Sequence, residues 1–407
     1  MSTRGKVAII GQGYVGQPLA LAASRAGYEV IGVDRDPVTR SALALDQPGT
    51  GALSPSDSLE LTSSQYYAIT DEIAAVANAS IVILAVPTPL DEERQPDTSI
   101  LEAAARSLVP HLLPGTLVIN ESTSYPGTLR NLLAPILQSG DSSILLATAP
   151  ERIDPASPEF SLANTPRLIA GLSPEATTRT KDFYSTIVQR VEVVASPEIA
   201  EAAKLFENTF RQVNIALVNE LAQICHLLGI PVWDVIEAAS TKPFGFMGFH
   251  PSAGVGGHCI PVDPSYLAWS AQQAGGEAKF INLANDVNLG MPTFVVKRVL
   301  EIFGGSVVGK KIRILGVAYK PNVADIRGTP ARSIIIQLRD EGAEVSWHDP
   351  HVETWMNETS APLIGNYDLA LLVTDHPVMH VPSVIGSGAL LFDTTGKYRN
   401  LEGVIAL

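Results

Sequence analysis

Cysteine is scarce in this chain of 407 residues, which contains only Cys225 and Cys259. Two cysteines with no Cys/His spacing around them exclude a disulfide scaffold, predict no metal site and favour a reducing compartment. Charged residues are also sparse, because Asp, Glu, Lys and Arg make up 17% of the chain, against roughly 25% in ordinary globular proteins. Together with 46% hydrophobic residues, this composition excludes a disordered or coiled-coil protein.

Positive charge is scarcer than negative charge: 28 Lys and Arg residues stand against 42 Asp and Glu, a net charge of −14. An acidic chain repels phosphate backbones, so no nucleic-acid partner is expected, although helix N-termini and single cations can still bind small anions. The longest apolar run, at 81–87, is far short of the ~20 residues that span a bilayer. No signal-peptide pattern follows the short apolar run at 7–10. We therefore expect a cytoplasmic protein with no membrane partner.

Short apolar runs rich in Val and Ile alternate with helical patterns through the first half of the chain. Several of these runs are apolar on both faces, which is typical of a parallel sheet covered by helices. Strands are predicted at 7–10, 29–33, 81–86, 116–120, 144–147, 168–170 and 191–194, and helices at 19–26, 100–108 and 174–186. The predicted fold class is α/β, with an N-terminal Rossmann-like, doubly wound parallel sheet.

The pattern changes at Ser196, where Ser-Pro-Glu has the residue types of a helix N-terminus. One long helix is predicted from 198 to 228, ended by Gly229 and Pro231, and no strand signal appears before 303. A second α/β unit follows, with strands predicted at 312–317, 344–347, 369–373 and 390–392 and a helix at 330–341. We predict three domains: a dinucleotide-binding Rossmann-like domain at 1–195, a central all-helical domain at 196–304 and a C-terminal Rossmann-like α/β domain at 305–407.

The residues at 11–16 read Gly-Gln-Gly-Tyr-Val-Gly, between the first predicted strand and the first predicted helix. Gly11 permits a tight turn, Gly13 lets the backbone approach a pyrophosphate, and Gly16 lets the helix pack on the strand. The next strand leads into Asp34, where a carboxylate accepts hydrogen bonds from the adenosine ribose and repels a 2′-phosphate. The pattern predicts a site for NAD rather than NADP, a preference that Arg35 weakens because it can pair with a phosphate. The alternative is a tight turn that binds no ligand.

Cys259 lies in a loop that reads Gly-Val-Gly-Gly-His-Cys-Ile-Pro-Val-Asp-Pro at 254–264. Glycines let a ligand approach the backbone, and an exposed thiol near cations is a nucleophile. Because His258 and Asp263 accompany the thiol, we interpret the loop as catalytic rather than as a turn around a buried cysteine. His258 is interpreted as a positioning residue rather than a base. Cys225 lies in an apolar helical pattern and is predicted to be a core residue.

Lys204, Asn208 and Arg211 are spaced by four and three residues on the long helix, so they form a stripe on one face. The alternative interpretation is a solvated face, on which Glu201 and Glu207 pair with these cations. The polar Asn208 among apolar neighbours favours a stripe that faces a cleft.

These motifs belong to an ordered set that spans nearly the whole chain. The set comprises Gly-Gln-Gly-Tyr-Val-Gly at 11–16, Val-Pro-Thr-Pro at 86–89, Glu-Ser-Thr-Ser-Tyr-Pro-Gly-Thr at 121–128, Pro-Glu-Arg-Ile-Asp-Pro at 150–155, Lys-Leu-Phe-Glu-Asn-Thr-Phe-Arg at 204–211, Gly-Gly-His-Cys-Ile-Pro-Val-Asp-Pro at 256–264 and Gly-Val-Ala-Tyr-Lys-Pro-Asn-Val-Ala-Asp-Ile-Arg at 316–327. On these residues the chain resembles the UDP-glucose/GDP-mannose dehydrogenase family. The stretch Lys-Pro-Phe-Gly-Phe-Met at 242–247 and the Gly-His-Cys sequence are most similar to the branch acting on UDP-N-acetylhexosamines, especially UDP-N-acetylglucosamine.

The resemblance implies a UDP-sugar substrate whose C6 hydroxyl is oxidised to a carboxylate, with NAD used twice. In this chemistry a thiol holds the aldehyde as a thiohemiacetal and then as a thioester. Cys259 is the implied nucleophile. Each intermediate carries negative charge on one oxygen, so Lys204 and Asn208 are the implied donors that stabilise it.

The resemblance also implies roles for the neighbouring residues. Asp263 is the implied proton acceptor, through a water with Thr123, and Glu151 is a second candidate base. Cofactor contacts are implied for Gly11, Gly13, Tyr14, Val15, Gly16, Asp34, Arg35, Pro87, Thr88, Thr123 and Arg327. Substrate contacts are implied for Glu151, Arg152, Lys204, Asn208, Arg211, His250, Gly256 and Lys320.

Two stretches depart from the family. Relatives often have Tyr-Pro-Gly-Pro-Gly where this chain has His-Pro-Ser-Ala-Gly at 250–254, and Arg-Glu-Ser-Pro where it has Arg-Gly-Thr-Pro at 327–330. The sugar therefore stays open among UDP-N-acetylglucosamine, UDP-glucose and UDP-N-acetylmannosamine. Two other classes also stay open: a two-electron hydroxyacid-type dehydrogenase, which needs no thiol, and a non-catalytic NAD-binding protein. Finally, the resemblance places the long helix at a dimer interface, which predicts a homodimer or a higher even-numbered oligomer.

Overall fold

The computed structural model describes residues 3–44, 52–153, 159–386 and 388–407. The chain forms two compact units: an N-terminal unit of Met1–Glu207 with Ser265–Gly276, and a C-terminal unit of Asn208–Pro264 with Glu277–Leu407. The division into three domains stays a prediction. Within the described ranges, none of the helices combines the length and the apolar character needed to cross a membrane.

The described part of the N-terminal unit contains one sheet of eight strands, with the order β3-β2-β1-β4-β5-β6-β7-β8. The strands are β1 (Lys6–Ile10), β2 (Glu29–Val33), β3 (Tyr67–Thr70), β4 (Ile81–Leu84), β5 (Leu117–Asn120), β6 (Leu145–Thr148), β7 (Arg167–Gly171) and β8 (Val191–Val193). The helices are α1 (Gly16–Arg25), α2 (Pro37–Ala44), α3 (Pro55–Thr62), α4 (Ser99–Leu108), α5 (Ala134–Leu137) and α6 (Pro174–Tyr184), with a π-helix at Thr128–Leu133 and two 3₁₀ turns at Ile73–Val76 and Val109–His111. The predicted Rossmann-like sheet is confirmed.

Both faces of this sheet are buried, because successive strand residues point to opposite sides. Ile9 and Ile83 pack with α1 and α6 on one face. Ala8 and Val82 pack with α4 and α5 on the other. All four are fully buried, which explains why the strands read as continuous apolar runs.

The sheet differs from the prediction at two positions. β6 and β7 pair antiparallel, whereas the other ladders of this sheet are parallel. A parallel pair needs a crossover, usually a helix, and the described residues between β6 and β7 form turns without one. The edge strand β3 was missed; it is only four residues long and none of them is fully buried, so it lacks the apolar run that marks the inner strands.

The long helix α7 (Pro197–Leu228) has 32 residues, which makes it about 48 Å long. Its first residues belong to the N-terminal unit and the rest, from Asn208, to the C-terminal unit. It ends where predicted: Gly229 has a φ of +67°, and the N–H of Ile230 donates to the carbonyl oxygen of Cys225 at 2.9 Å. This is the Schellman arrangement that a glycine permits.

The C-terminal unit contains a second parallel sheet, with the order β10-β9-β13-β14-β15. Its strands are β9 (Lys311–Leu315), β10 (Glu344–His348), β13 (Leu369–Leu372), β14 (Leu390–Asp393) and β15 (Val404–Ala406), and β11 (Thr354–Trp355) and β12 (Glu358–Thr359) form a separate antiparallel pair. The helices after α7 are α8 (Val232–Ser240), α9 (Asp263–Gln273), which passes into the N-terminal unit, α10 (Lys279–Ile302), α11 (Pro330–Asp340) and α12 (Pro382–Ile385). Met291 and Val295 of α10 pack with Ile312 and Ile314 of β9. The predicted helical middle section and second α/β unit are confirmed.

Candidate active site

The glycine-rich turn follows β1 at the carboxyl edge of the N-terminal sheet, beside the point where the strand order reverses between β1 and β4. A Cβ on Gly11, whose φ is +95°, would overlap the carbonyl oxygen of Ala85, and a Cβ on Gly16 would overlap the carbonyl oxygen of Gly11. At Gly13, by contrast, such an atom would meet nothing within 4 Å. Gly11 and Gly16 therefore serve close packing of the chain, and Gly13 leaves the backbone open to a ligand.

The start of α1 fits a bound pyrophosphate. Val15 is the N-cap residue, and its side chain makes no capping hydrogen bond. The first N–H groups of a helix attract phosphate oxygens. Tyr14 and Val15 are both half-buried beside the turn. The residues present thus fit the NAD that the sequence predicts, with its pyrophosphate at this helix start.

The carboxylate of Asp34, which follows β2, lies against the same turn. Its Oδ2 accepts the N–H of Gln12 at 2.7 Å, and its Oδ1 accepts the N–H of Asp36 at 2.9 Å. Because Asp34 is half-buried, ribose hydroxyls of a dinucleotide on the turn can reach it. Arg35 is exposed. Arg40, which sequence reasoning missed, donates to the carbonyl oxygens of Asp34 and Arg35 at 3.0 and 2.8 Å and so fixes the end of β2.

Asp34→Ala is expected to raise the KM for NAD about 10-fold or more and to reduce the preference for NAD over NADP. The reason is the loss of a charged acceptor, since a hydrogen bond to a charged group contributes about 1.5–3 kcal/mol. The measurement is kcat/KM with each cofactor. Asp34→Asn is the matched control, because its amide oxygen can still accept the N–H of Gln12. An unchanged cofactor ratio in Asp34→Ala would show that Asp34 does not set the preference.

Two further loops follow β4 and β5 at the same edge of the sheet. The N–H of Val86 donates to Oγ of Ser122 at 2.9 Å, which ties one loop to the other. Among the predicted cofactor contacts, Pro87 is exposed, Thr88 is buried and Thr123 is half-buried. Ser122 was not singled out from the sequence, although it stands next to Thr123 in the Glu-Ser-Thr run. Its hydroxyl holds together the two loops from which cofactor contacts are expected.

A buried charge cluster, made of Glu121, Glu151, Arg167 and Tyr184, lies beside these loops. Arg167 Nη2 donates to Glu151 Oε2 at 2.8 Å, and its Nη1 lies 3.6 Å from Glu121 Oε2. The hydroxyl of Tyr184 donates to Glu121 Oε1. Burial raises the pKa of Glu121 to about 7; Arg167 opposes the rise and Glu151 adds to it. Arg167 and Tyr184 were missed because nothing in the sequence shows that they meet these carboxylates.

Glu151, a predicted base, is held by several donors. Its Oε1 accepts the N–H groups of Arg152 and Ile153, each at 2.5 Å, while Arg167 occupies Oε2. This arrangement favours a structural role for Glu151 in shaping its own turn. The last two residues of the quoted motif at 150–155 lie outside the described residues.

Glu121→Gln is expected to change how stability depends on pH. The pKa of about 7 in the folded protein lies above the ordinary 4.5, so the contribution of Glu121 to stability is present at low pH and is lost as the pH rises through 7. The free energy of unfolding of the unmodified protein should therefore fall by on the order of 2–3 kcal/mol more than that of the variant when the pH rises from 5.5 to 8.5. Urea unfolding at both pH values measures this.

Glu198→Gln is the control for that experiment. The ion pair with Arg130 lowers the pKa of Glu198 to about 2, so removing this carboxylate should have the same effect at pH 5.5 and at pH 8.5. If Glu121→Gln were equally independent of pH, Glu121 would not titrate in this range.

Arg152, a predicted substrate contact, is paired within the N-terminal unit. Its Nε and Nη2 donate to the carboxylate of Glu207 at 2.9 and 2.5 Å, and its Nη1 donates to the carbonyl oxygen of Pro166 at 2.8 Å. Glu207 therefore pairs with a residue outside the helix. A substrate phosphate would have to compete with Glu207 for this guanidinium.

Glu201 serves as a helix cap rather than as a surface ion-pair partner. Its Oε2 accepts the N–H of Gly127 at 2.6 Å and its Oε1 accepts the N–H of Leu129 at 3.0 Å, at the start of the π-helix. Burial raises the pKa of Glu201 to about 7, and these backbone donors oppose the rise. One turn further along α7, Lys204 is only 7% exposed. The alternative interpretation, a fully solvated face, is therefore wrong for this part of the helix.

In the C-terminal unit the structure brings two predicted catalytic residues together. Asn208 Nδ2 donates to Asp263 Oδ2 at 2.5 Å, and Asp263 is only 1% exposed. Asp263 begins α9, and its N–H donates to the carbonyl oxygen of Cys259 at 2.8 Å. Cys259 is exposed, whereas Cys225 is buried as predicted. Arg211 is exposed on α7.

The glycines of the cysteine loop have a packing reason. A Cβ on Gly256 or on Gly257 would lie 2.8 Å from the side chain of Tyr319, and Gly257, with a φ of +86°, donates its N–H to the carbonyl oxygen of Arg327 at 2.9 Å. The guanidinium of Arg327, a predicted cofactor contact, is bonded to Asp325, with Nε 2.9 Å from Oδ1 and Nη2 2.5 Å from Oδ2. The cysteine loop thus rests on the segment that carries the last quoted motif.

Three remaining predicted residues also lie in this unit. His258 is half-buried, and burial together with the charge of Arg327 lowers its pKa below the usual range. Its ring is therefore neutral at pH 7. His250 is exposed, and its ring lies 5.5 Å from that of Trp233. Lys320 is half-buried.

Three family models match this chain in order. They describe the UDP-glucose/GDP-mannose dehydrogenase family: its NAD binding domain at residues 5–188, its central domain at 198–289 and its UDP binding domain at 313–400. The first match covers the glycine-rich turn and the second covers the loop around Cys259. The cofactor is therefore NAD.

Individual relatives agree with the family models. A UDP-N-acetyl-D-mannosamine dehydrogenase of Methanococcus maripaludis strain C7 is 33% identical over 388 residues, 91% of this chain and 86% of that protein. A UDP-N-acetyl-D-glucosamine 6-dehydrogenase of Pseudomonas aeruginosa is 34% identical over 387 residues, 91% of this chain and 90% of that protein. The solved structure of a UDP-D-ManNAc dehydrogenase from Pyrococcus horikoshii superimposes with a TM-score of 0.88 at 30% identity and covers 98% of both chains. The chain is a member of the UDP-glucose/GDP-mannose dehydrogenase family, and it is an NAD-dependent oxidoreductase of the nucleotide-sugar type.

Proposed function

We propose that this protein oxidises the C6 hydroxyl of a UDP-N-acetylhexosamine to a carboxylate and reduces two NAD for each sugar. The observation that carries the proposal is the environment of Cys259, an exposed thiol in a loop built on glycines. Four residues further on, the buried carboxylate of Asp263 accepts a hydrogen bond from Asn208. A two-electron dehydrogenase would need no such thiol.

The chemistry assigns one covalent role to Cys259. When bound, NAD supplies the hydride acceptor for each oxidation. Loss of a hydride and the hydroxyl proton turns the alcohol into an aldehyde, and the thiolate of Cys259 adds to its carbon to form a thiohemiacetal. Loss of the second hydride and the hydroxyl proton of that adduct gives a thioester. Water then attacks the thioester carbon, the C–S bond breaks, and the sugar carboxylate and the thiol are released.

Polar residues of α7 and α9 are proposed to stabilise the reacting oxygen atom and to transfer protons in these reaction steps. Lys204 and Asn208, one turn apart on α7, are the proposed donors to the negatively charged oxygen. Asp263 is the proposed proton acceptor, and Thr123 is proposed to take part in the reaction as well. Glu151 remains a second candidate, although its three donors favour Asp263.

The substrate contacts predicted from the sequence are proposals of the same kind. Arg211 is exposed and Lys320 is half-buried, so both can be reached by an anionic ligand, and Gly256 is proposed as a backbone contact. His250 is proposed to contact the sugar, and its exposure is compatible with that role.

The sugar is the least constrained part of the proposal. The sequence motifs favour UDP-N-acetylglucosamine, and one relative has that name, while other relatives are named for UDP-N-acetyl-D-mannosamine. The two sugars differ only in the configuration at C2. We therefore propose the N-acetylhexosamine class, with UDP-N-acetylglucosamine tested first and UDP-N-acetylmannosamine second.

The proposal is tested by counting NADH and identifying the product for UDP-N-acetylglucosamine, UDP-N-acetylmannosamine, UDP-glucose and GDP-mannose. We expect two NADH and one sugar acid for each N-acetylhexosamine consumed. One NADH with an accumulating aldehyde would support a two-electron enzyme instead. No turnover with either UDP-N-acetylhexosamine, but turnover with UDP-glucose, would contradict the substrate class.

We also propose that α7 mediates a homodimer. Phe210, Leu217 and Ile224 are spaced by seven residues and are 45%, 61% and 46% exposed, an apolar stripe of the kind that covers itself in a helix–helix interface. Leu217→Glu should shift the dimer to a monomer in light scattering, because it places a charge in that interface. Thr178→Glu, which adds the same charge at an exposed position of α6, should have no effect. A monomeric unmodified protein at working concentration would contradict the proposal.

A further inference from the structure

His376 is fully buried beyond the end of β13, in the C-terminal unit, and both ring nitrogens have partners. Its Nδ1 lies 3.2 Å from the backbone nitrogen of Asn322, and its Nε2 lies 3.1 Å from Asp349 Oδ2. A backbone N–H can only donate, so Nδ1 accepts and carries no proton. The neutral ring therefore carries its proton on Nε2, which donates to Asp349. No role for His376 follows from the reaction proposed above.

Asp349 is the fixed end of this arrangement. Its Oδ2 also accepts the N–H groups of Val317 and Ala318 at 2.8 and 3.0 Å, and its Oδ1 accepts the N–H of His351 at 2.8 Å. Burial opposes the charge, but the hydrogen bonds from His376 and the backbone lower the pKa of Asp349 to about 2. The carboxylate is thus a charged anchor at the carboxyl edge of the sheet.

Asn322 belongs to a loop, residues 319–327, that has fixed contacts at both ends. Asn322 itself has a φ of +64°, a backbone conformation that needs support from its surroundings. Tyr319 donates its N–H to the carbonyl oxygen of Asp325 at 2.9 Å, and its side chain packs against Gly256 and Gly257 of the cysteine loop. Arg327 accepts the N–H of Gly257 at 2.9 Å. A change at Asn322 is therefore connected by direct contacts to the loop that carries Cys259.

We propose that His376 is a positioning residue: by accepting the N–H of Asn322 it holds the 319–327 loop in the conformation in which Lys320 binds the UDP moiety and Tyr319 supports the cysteine loop. The inference rests on the proposed function for the identity of the ligand. The other titratable groups next to His376 do not compete for Nδ1. The ring of His351 lies 4.8 Å from it, centre to centre, and the carboxylate of Asp375 is bonded to Lys397 and Tyr398.

Two substitutions separate the two hydrogen bonds of this ring. Asn in place of His376 puts an amide oxygen near the position of Nδ1, so the acceptor for Asn322 is kept and the donor to Asp349 is lost. Gln instead places its amide near the position of Nε2, so the donor is kept and the acceptor is lost. Leu removes both. A loss of UDP binding caused only by poorer packing should depend on the size and polarity of the new side chain. It should not depend on which of the two hydrogen bonds that side chain keeps.

The experiment measures UDP binding by calorimetry, KM for the UDP-sugar and for NAD, and the alkylation rate of Cys259, with buried Cys225 as an internal reference in peptide mass spectrometry. We expect His376→Gln and His376→Leu to weaken UDP binding at least 10-fold and to change the Cys259 alkylation rate. His376→Asn should stay within about 3-fold of the unmodified protein in UDP binding and in the alkylation rate, a difference below 1 kcal/mol.

Equal losses in His376→Asn and His376→Gln would overturn the inference. If the variants do not fold, hydrogen exchange of the unmodified protein decides: UDP should slow exchange in the 319–327 loop, and no slowing would overturn it. The readouts also separate the two proposals. If UDP binding depends on His376 as stated but no UDP-hexosamine is oxidised, the proposed function fails and the inference stands. If the unmodified protein does not bind UDP, the inference fails.

Discussion

Cys259→Ser is expected to stop the reaction during or after the second oxidation, before sugar acid is released. Full turnover should fall by about 10³-fold or more, because a serine hydroxyl has a pKa far above that of a thiol and is a weak nucleophile near neutral pH. If no ester forms on the serine, at most one NADH per sugar should form; if an ester does form, a second NADH should appear only once per protein molecule. If an ester does form on the serine, its hydrolysis should be slow, so a covalent sugar adduct should accumulate on the protein. Intact-protein mass spectrometry after incubation with UDP-sugar and NAD detects the adduct, and absorbance counts the NADH.

The second cysteine provides the matched control. Cys225 lies 3% exposed in the apolar cluster between α7 and α8, so Cys225→Ala should leave the NADH count unchanged and lower only stability. Two NADH per sugar from Cys259→Ser at a rate near that of the unmodified protein would mean that the thiol is structural. The covalent mechanism would then have to be abandoned.

Lys204→Ala is expected to slow each step in which negative charge develops on the substrate oxygen. One lost donor to such an oxygen lowers the rate by about 10²–10³-fold. No covalent adduct should accumulate, because formation and breakdown of the intermediate slow together. Rapid-mixing measurement of the first and second NADH separates the affected steps. Lys181→Ala, at an exposed position on α6, is the control for loss of one positive charge and should have no effect.

Asp263→Asn distinguishes proton transfer from charge stabilisation. The amide keeps the size of the side chain and can still accept from Asn208, but it cannot take up a proton. The loss of activity in Asp263→Asn should therefore shrink at high pH, where hydroxide replaces the missing base, whereas the loss in Lys204→Ala should not.

Unchanged rates for both hydride transfers in Lys204→Ala would contradict the proposed role of Lys204 in the reaction.

The inner strands could be predicted from sequence because their chemistry is local. A strand buried on both faces is apolar at every position, as β4 is, and all four of its residues are buried. The apolar run at 81–86 therefore predicted this strand. The edge strand β3 has no such constraint, and its half-buried residues do not differ from a loop. The antiparallel direction of β7 was also out of reach, because strand direction depends on the path of the intervening chain and not on the strand's own residues.

In the candidate site, too, some residues could be predicted from the sequence and others could not. Motif residues such as Gly13, Asp34 and Cys259 could be found because each serves a ligand or a turn through its own residue type and spacing. The partners of those residues could not. Arg167 looks like any arginine at the start of a strand, and only the fold brings it to two buried carboxylates.

By itself, the sequence determined the two α/β units, the long helix between them, the glycine-rich turn and the exposed thiol, because periodicity, turn residues and motif spacing act over a few residues. The tertiary structure alone decided which charges are neutralised and by what. Arg152 bonds to Glu207, Glu201 caps the π-helix, and His376 bonds to Asp349. These pairs are 27 to 74 residues apart in the chain, and their meeting follows from how sheets and helices pack. Where such a group is buried, its surroundings set its pKa: burial raises the pKa of Glu201 to about 7, whereas the hydrogen bonds from His376 and the backbone lower the pKa of Asp349 to about 2.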